Sequence, residues 1–162
     1  MIYGWIIGGL AALDLGVKSV VEGQEDDTFP RDLPSAKGFI KLHKNHNSGF
    51  PFGFMKERPE LVKGIPLMVI SAMAGALAAM MQDKGNTGEK LGLSLVMGGA
   101  LSNLYDRVVR GYVVDYFTIE WKSLKKVVFN LGDMFVFLGS AVFVLAQAVG
   151  SLEDAGVKKK KK

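Results

Sequence analysis

The chain has no cysteine, so neither a disulfide framework nor a thiol nucleophile is available to it. Histidine is almost as scarce: the two present, His43 and His46, fall in one polar stretch. That is poor material for a zinc site, which needs several nitrogen or sulfur ligands converging, so no metal and no cofactor are expected. No basic residue precedes Lys18, and Asp14 interrupts the first apolar run. A cleaved signal peptide wants a basic start and an unbroken apolar core, so this segment reads as a retained helix instead. A basic face for nucleic acid is missing as well. The net charge is +4, but Lys158 to Lys162 are five lysines in a row, and the remainder carries −1. Such a tail reads as a disordered cytoplasmic end near anionic lipid.

What the chain has is apolar blocks, within 162 residues that suggest one domain and a composition 49% hydrophobic. Ile2 to Val21 forms the first block, with Asp14 and Lys18 near its outer end, four apart and able to pair on one helix face. Ile65 to Met81 is a charge-free run rich in Ala, Gly and Met, which permits close helix packing. Leu91 to Tyr105 is a third block, and Met134 to Leu152 a fourth, again without charge. These blocks predict an all-α membrane protein with four transmembrane helices in a single domain over residues 1–157, followed by a polylysine tail at 158–162.

The polar interval from Glu22 to Leu61 contains one strand-like piece, Gly38 to Lys44. A turn at His46 to Gly49 and a second extended piece, Phe50 to Phe54, would complete a small extracytoplasmic β-hairpin-like platform, with Pro51 arguing against a central strand there. Phe50, Phe52 and Phe54 suit the lipid–water interface. The lysine tail sets the orientation. Both termini are expected in the cytoplasm, with residues 22–61 and 111–131 outside and the tight link at 82–90 inside.

Carboxylates beside membrane-length segments are expensive, and three lie between Gly98 and Asp133: Asp106, Asp115 and Asp133. Each has a structural reading when taken singly. Asn130 with Asp133 has the spacing of a helix cap. Asp106 beside Arg107 and Arg110 makes a salt-bridge network, and Asp14 with Lys18 makes a neutralising pair that fixes helix packing. Three aspartates on one membrane side together with Asn103 and Asn130 are harder to explain as caps, and suggest a carboxylate pair at the membrane edge.

Five segments, in order, resemble lipoprotein signal peptidase, the type II signal peptidase family of aspartic proteases in bacterial membranes. They are Asp14 with Lys18; NSGFPFG from Asn47 to Gly53; GGALSNLYDR from Gly98 to Arg107; VVDY from Val113 to Tyr116; and FNLGD from Phe129 to Asp133. The chain has Ser102 and Gly132 where the family usually has Gly and Ala, and the aromatic segment is bulkier at Phe50 and Pro51. The resemblance implies that Asp115 and Asp133 are a catalytic dyad. It further implies that Asn47, Gly49, Asn103, Asp106, Arg107 and Asn130 bind substrate or support the site, with Asp14 and Lys18 as a structural brace. Two carboxylates sharing a site cannot both ionise easily, which suits an acid and a base working on one peptide bond.

The implied partners are membrane lipids and a prolipoprotein bearing a diacylglyceryl-cysteine, cut just before that residue by a monomer in the bacterial cytoplasmic membrane. The main alternative is a non-catalytic membrane protein of the same fold that binds lipidated signal peptides. A proton-coupled transporter is a third class. Carboxylates clustered at one edge rather than at mid-membrane count against it.

Overall fold

The apolar blocks become four helices: α1 (Ile2–Glu22), α2 (Pro59–Met80), α3 (Thr87–Tyr105) and α4 (Leu131–Lys160). The computed structural model describes the backbone of residues 1–50 and 53–160, and side chains as far as Leu152. Pro51, Phe52 and the last two lysines of the tail lie outside the described residues. Three helical stretches, Ile2–Glu22, Pro59–Met80 and Leu131–Leu152, are long and apolar enough to cross a membrane. They turn bulky side chains such as Trp5, Leu67, Met68, Leu138 and Leu145 outward, as lipid-facing helices do.

α3 falls outside that set because it carries Glu89, Lys90, Ser94, Ser102 and Asn103. It packs against α1, α2 and α4 at once, so its polar and small residues meet protein. Small residues let the backbones touch. A Cβ on Gly92 would lie 2.7 Å from the Phe143 amide nitrogen and 2.8 Å from the Gly139 carbonyl oxygen.

Three helices begin earlier than the charge-free runs suggest. α2 starts at Pro59 rather than Ile65, α3 at Thr87 rather than Leu91, and α4 at Leu131 rather than Met134. Each extra turn holds an acidic residue, Glu60, Glu89 or Asp133, which the positive end of a helix favours. Proline at the first helical position loses no hydrogen bond, which explains Pro59.

The sheet differs from the expected hairpin. It is a three-stranded antiparallel sheet in the order β1 (Arg31–Asp32), β2 (Ile40–Asn47), β3 (Val113–Ile119). β2 pairs with β3 from Ile40↔Ile119 to Asn47↔Val113, with a register irregularity between Leu42 and Asn45. Phe50 and Phe54 make only an isolated bridge with each other. β3 wins as partner because it is a nearly continuous apolar strand buried along most of its length, whereas a segment containing proline lacks a ladder donor. Val114 and Tyr116 pack with Val21 of α1, and Val17, Phe29 and Leu131 close round them. The sheet is thereby fixed to the ends of α1 and α4.

A buried polar network joins α1, α3 and the sheet. Asp14, Lys18, Ser102 and Asp106 are all 0% exposed. The Lys18 ammonium lies 2.8 Å from Asp14 Oδ2 and 3.1 Å from Asp106 Oδ2, and donates to Asn103 Oδ1 at 2.7 Å and Ser102 Oγ at 3.1 Å. Asp14 also accepts from Tyr116 Oη at 3.0 Å. Asp106 also accepts from Arg110 Nη1 at 2.9 Å and from the Val114 amide at 3.1 Å. Removing one partner from such a cluster leaves charge buried and uncompensated. Lys18→Met strands the buried Asp14 carboxylate, which has no other cation beside it among the described residues, and is expected to cost on the order of 3–5 kcal/mol. Asp14→Ala, which leaves Lys18 its contact with Asp106, should cost less. Thermal midpoints of the purified variants in detergent check this order; a wild-type midpoint for Lys18→Met would show that the network contributes no stability.

Candidate active site

The α3 helix does not stop cleanly at the sheet. Asp106–Arg110 form one π turn, closed by the Gly111 amide donating to Asp106 O at 3.1 Å. Gly111 then reverses the chain at φ +85°, a left-handed conformation that glycine adopts without strain. Wider turns of this kind recur where a helix must place side chains for a task. Here the turn aims Asp106 back at Lys18 and launches β3, so that Asp115 is reached within a few residues.

Alternation along β3 sends Val114 and Tyr116 to the α1 side and Asp115 to the opposite face. Asp115 is 4% exposed. Its two oxygens accept from different asparagines: Asn130 Nδ2 at 2.7 Å to Oδ1, and Asn47 Nδ2 at 3.2 Å to Oδ2. Asn47 ends β2, and its own Oδ1 accepts from the Gly49 amide at 3.1 Å. A Cβ on Gly49 would approach the Phe54 carbonyl oxygen to 2.8 Å and Gly53 C to 2.9 Å, so only glycine lets the loop fold back there.

Asp133 reaches the same place from α4. Asn130 precedes the helix and accepts from the Asp133 amide at 2.9 Å, while Asp133 Oδ2 accepts from the Asn130 amide at 3.1 Å. This reciprocal pair is a capping box built from Asn and Asp. The other Asp133 oxygen accepts from Asn103 Nδ2 at 2.9 Å. Asn130 therefore touches both carboxylates, capping one and hydrogen-bonding the other. The cap reading and the site reading of FNLGD hold together in one residue.

Burial pushes the Asp115 carboxyl up to about 6, with the neighbouring charge of Asp133 as the second cause; hydrogen bonds from Asn130 and Asn47 pull the other way. Arg107 stands beside this pair. Its Nη1 donates to Asn103 O at 3.3 Å and its Nη2 to Gly49 O at 3.4 Å, and its guanidinium lies 5.7 Å from the Phe50 ring centre. Arg107 Nε is buried without a partner among the described residues.

The residues singled out in the sequence thus fall into two connected groups. Asn47, Gly49, Arg107, Asp115, Asn130 and Asp133 surround one position, and Asn103 borders it. Asp14, Lys18 and Asp106 lie in the buried network behind it, with Asn103 as the link: its Oδ1 faces Lys18 and its Nδ2 faces Asp133. Two members carried no prior signal as site residues. Tyr116 Oη donates to Asp14 and accepts from the Leu131 amide at 2.9 Å, so it ties the brace to the start of α4. Ser102 Oγ donates to Asp14 Oδ2 at 2.5 Å. The aromatic after the aspartate in VVDY is the one sequence hint at Tyr116; Ser102 stood out only as a departure from a motif.

Known proteins resemble this chain over most of its length. The family model described as signal peptidase (SPase) II matches residues 6–149. The lipoprotein signal peptidases of Brucella ovis and Brucella melitensis are each 31% identical over 147 residues, covering 85% of this chain and 84% of the relative. A solved bacterial membrane enzyme, determined by the in meso method at 2.3 Å resolution, superposes with a TM-score of 0.75 at 21% identity, covering 99% of this chain and 93% of that one. A second, determined by the same method at 1.9 Å resolution, gives 0.72 at 19% identity, covering 90% of this chain and 92% of that one. These two speak for the fold. With the family model spanning nearly the whole chain, the protein belongs to the signal peptidase II family.

Proposed function

We propose that this chain is an aspartic endopeptidase of the bacterial cytoplasmic membrane that removes the signal peptide of diacylglyceryl-cysteine-modified prolipoproteins, with Asp115 and Asp133 as its catalytic dyad. The observation that carries the reading is Asn130, which hydrogen-bonds both carboxylates and so holds them as one unit. One member ionised and one protonated suffices for the chemistry. The ionised carboxylate takes a proton from water, whose oxygen attacks the carbonyl carbon before the lipidated cysteine. The protonated one polarises that carbonyl, then a proton passes to the departing amine and the pair returns to its starting state. Asn47 and Asn130 hold Asp115 in place, Asn103 holds Asp133, and the unpartnered Arg107 Nε is a donor for a substrate carbonyl. On this reading the chain acts as a monomer, with Asn47, Asn103 and Asn130 supplying the partners of both carboxylates.

The topology belongs to the same reading. α3 acts as a fourth span, shielded by α1, α2 and α4 despite its polar residues. The lysine tail at 158–162 marks the cytoplasmic side, which puts the sheet and the dyad at the outer face, where a lipid-modified peptide is presented. Residues 1–157 then act as one membrane domain. Because the chain has no cysteine, single cysteines report topology without background. A cysteine at position 26 should label from outside with an impermeant reagent and one at position 86 should not; the reverse pattern would invert the topology.

Asp115→Asn and Asp133→Asn should each abolish cleavage of a diacylglyceryl-modified prolipoprotein while leaving the protein folded in the membrane. The double variant should be hardly worse than either single, because the pair acts as a unit. Substantial turnover by either single variant would leave a substrate-binding scaffold as the better reading. The pH dependence has a defined sign. An Asp115 carboxyl raised to about 6 is protonated below that pH and loses its proton above it. If the protonated form is needed, kcat/KM of the free enzyme should fall on the alkaline side with an apparent pKa near 6, and fall again in acid when the second carboxylate is neutralised. A profile flat from about pH 5 to about pH 7, one unit either side of that midpoint, would contradict a shared proton. The same shift bears on stability. The folded form holds this proton more tightly than the unfolded chain, so the contribution is full at low pH and is lost as pH rises through about 6.

A further inference from the structure

Gly132 stands directly before Asp133, and its surroundings leave no room for a side chain. A Cβ there would lie 2.9 Å from Asp14 Oδ2, 2.9 Å from Gly99 O and 3.0 Å from Asn130 Oδ1. The first of these contacts is unusual, because Asp14 belongs to a different helix and to the buried brace. Asp14 Oδ2 is held where it is by two groups: the Ser102 hydroxyl, which donates to it at 2.5 Å, and the Lys18 ammonium at 2.8 Å. Its other oxygen is tied by Tyr116 Oη at 3.0 Å. The same Ser102 hydroxyl accepts from Lys18 at 3.1 Å, so it completes a closed triangle with Asp14 and Lys18. One carboxylate oxygen is therefore wedged between a serine on α3 and the backbone immediately before Asp133.

The α4 side of this wedge has little freedom to retreat. A Cβ on Gly99 would come within 2.9 Å of the Gly132 carbonyl carbon, so α3 and the first turn of α4 already meet backbone to backbone. Interiors packed this closely respond to an extra methyl by displacement of a side chain or a backbone segment. If Gly132 gained a methyl, the α3 backbone would have to give way slightly at Gly99 O, and either Asp14 would have to swing away from the methyl or the Asn130–Asp133 cap would have to shift. Ser102 resists the swing of Asp14. We propose that Ser102 is a positioning residue, which acts through Asp14 on the backbone at Gly132 and so sets where the Asp133 carboxylate stands. This rests on the reading of Asp133 as a catalytic group. The role is indirect, since no contact between Ser102 and either carboxylate of the dyad is observed; its partners are Asp14 and Lys18.

The coupling has a direct test in a four-member cycle of the full-length protein in detergent: wild type, Ser102→Ala, Gly132→Ala and the double variant. Turnover and KM are read on a diacylglyceryl-modified prolipoprotein, and the thermal midpoint is read in parallel. Gly132→Ala should lower kcat by about tenfold or more with KM changed less than about threefold, the signature of a misplaced reacting group rather than lost binding. Removing the Ser102 hydroxyl opens space for Asp14 to move, so the double variant should regain at least about threefold of that loss, a clear departure from additivity. Ser102→Ala alone should reduce kcat by only a few fold (about two- to fivefold), again with KM nearly unchanged. If Gly132→Ala does not accumulate in membranes, recovery of the double variant to measurable levels supports the proposal when its kcat lies within about threefold of that of Ser102→Ala, and recovery without that kcat overturns it.

Additive effects on kcat or, where Gly132→Ala fails to accumulate, a double variant that accumulates no better, would overturn the proposal. Coupling seen in the midpoint but not in kcat would also overturn it, since that is what a purely structural contact gives. Absence of cleavage by the wild type is a separate failure. It removes the proteolytic reading and the positioning role with it, while the midpoint cycle still decides whether Ser102 and Gly132 meet through Asp14.

Discussion

A fully buried lysine ammonium is the constraint on which the rest of this fold depends. Taking it out of solvent costs several kcal/mol, and that cost is offset only if every proton on it meets an acceptor in good geometry. Lys18 meets that condition with partners on both α1 and α3: Asp14 from its own helix, and Ser102, Asn103 and Asp106 from α3 and its π turn. α1 and α3 therefore cannot slide or rotate past each other without exposing the charge. In a bilayer, where apolar packing between helices has no hydrophobic driving force behind it, such a polar lock gives register that Leu and Val contacts alone do not.

The lock also carries direction. Asn103 has an acceptor and a donor on the same planar amide, and Lys18 occupies the acceptor. The amide cannot flip without presenting NH2 to an ammonium, so its donor is committed to Asp133. Tyr116 makes a similar choice. Its hydroxyl proton goes to Asp14, which leaves its lone pairs for the Leu131 amide. Through these two residues the buried brace orients the first turn of α4. Asn130 then extends the order to Asp115 on the sheet. The two carboxylates, one on a strand and one on a helix, both bond to Asn130 because each step of this relay allows one donor–acceptor arrangement.

Much of this was legible in the sequence, and the illegible part has physical reasons. The Asp14–Lys18 spacing announces a shared helix face, and the Asn130–Asp133 spacing announces a cap; both are local, and both are realised. The hairpin expected around Asn47 failed because strand pairing is not local. β2 carries no signal that its partner is β3, which lies beyond two helices in the chain. The register irregularity between Leu42 and Asn45 is equally silent in the residue pattern. The early helix starts at Pro59, Thr87 and Leu131 were hidden because hydropathy reads a charged first turn as loop, although a helix N-terminus favours acidic groups. α3 is the extreme case. Its polar residues keep it out of the set apolar enough to cross a membrane, yet it packs against α1, α2 and α4 at once, so those residues meet protein.

The same logic accounts for the electrostatic poise of Asp115. Burial and the charge of Asp133 favour its neutral form, while two amide donors favour the ionised form. Neither side wins outright, and the group settles near 6 instead of the ordinary value of 3.8. Had the donors been charged, as Arg107 is, the carboxylate would be held ionised and there would be no proton to share. Had there been none, a buried carboxylate would stay neutral and could not act as a base. Asparagine is the side chain that fits between these limits, because it donates a hydrogen bond without bringing a charge. Asn47 and Asn130 on Asp115 are thus one solution used twice. A lysine or a leucine in place of Asn47 would upset the balance from opposite sides.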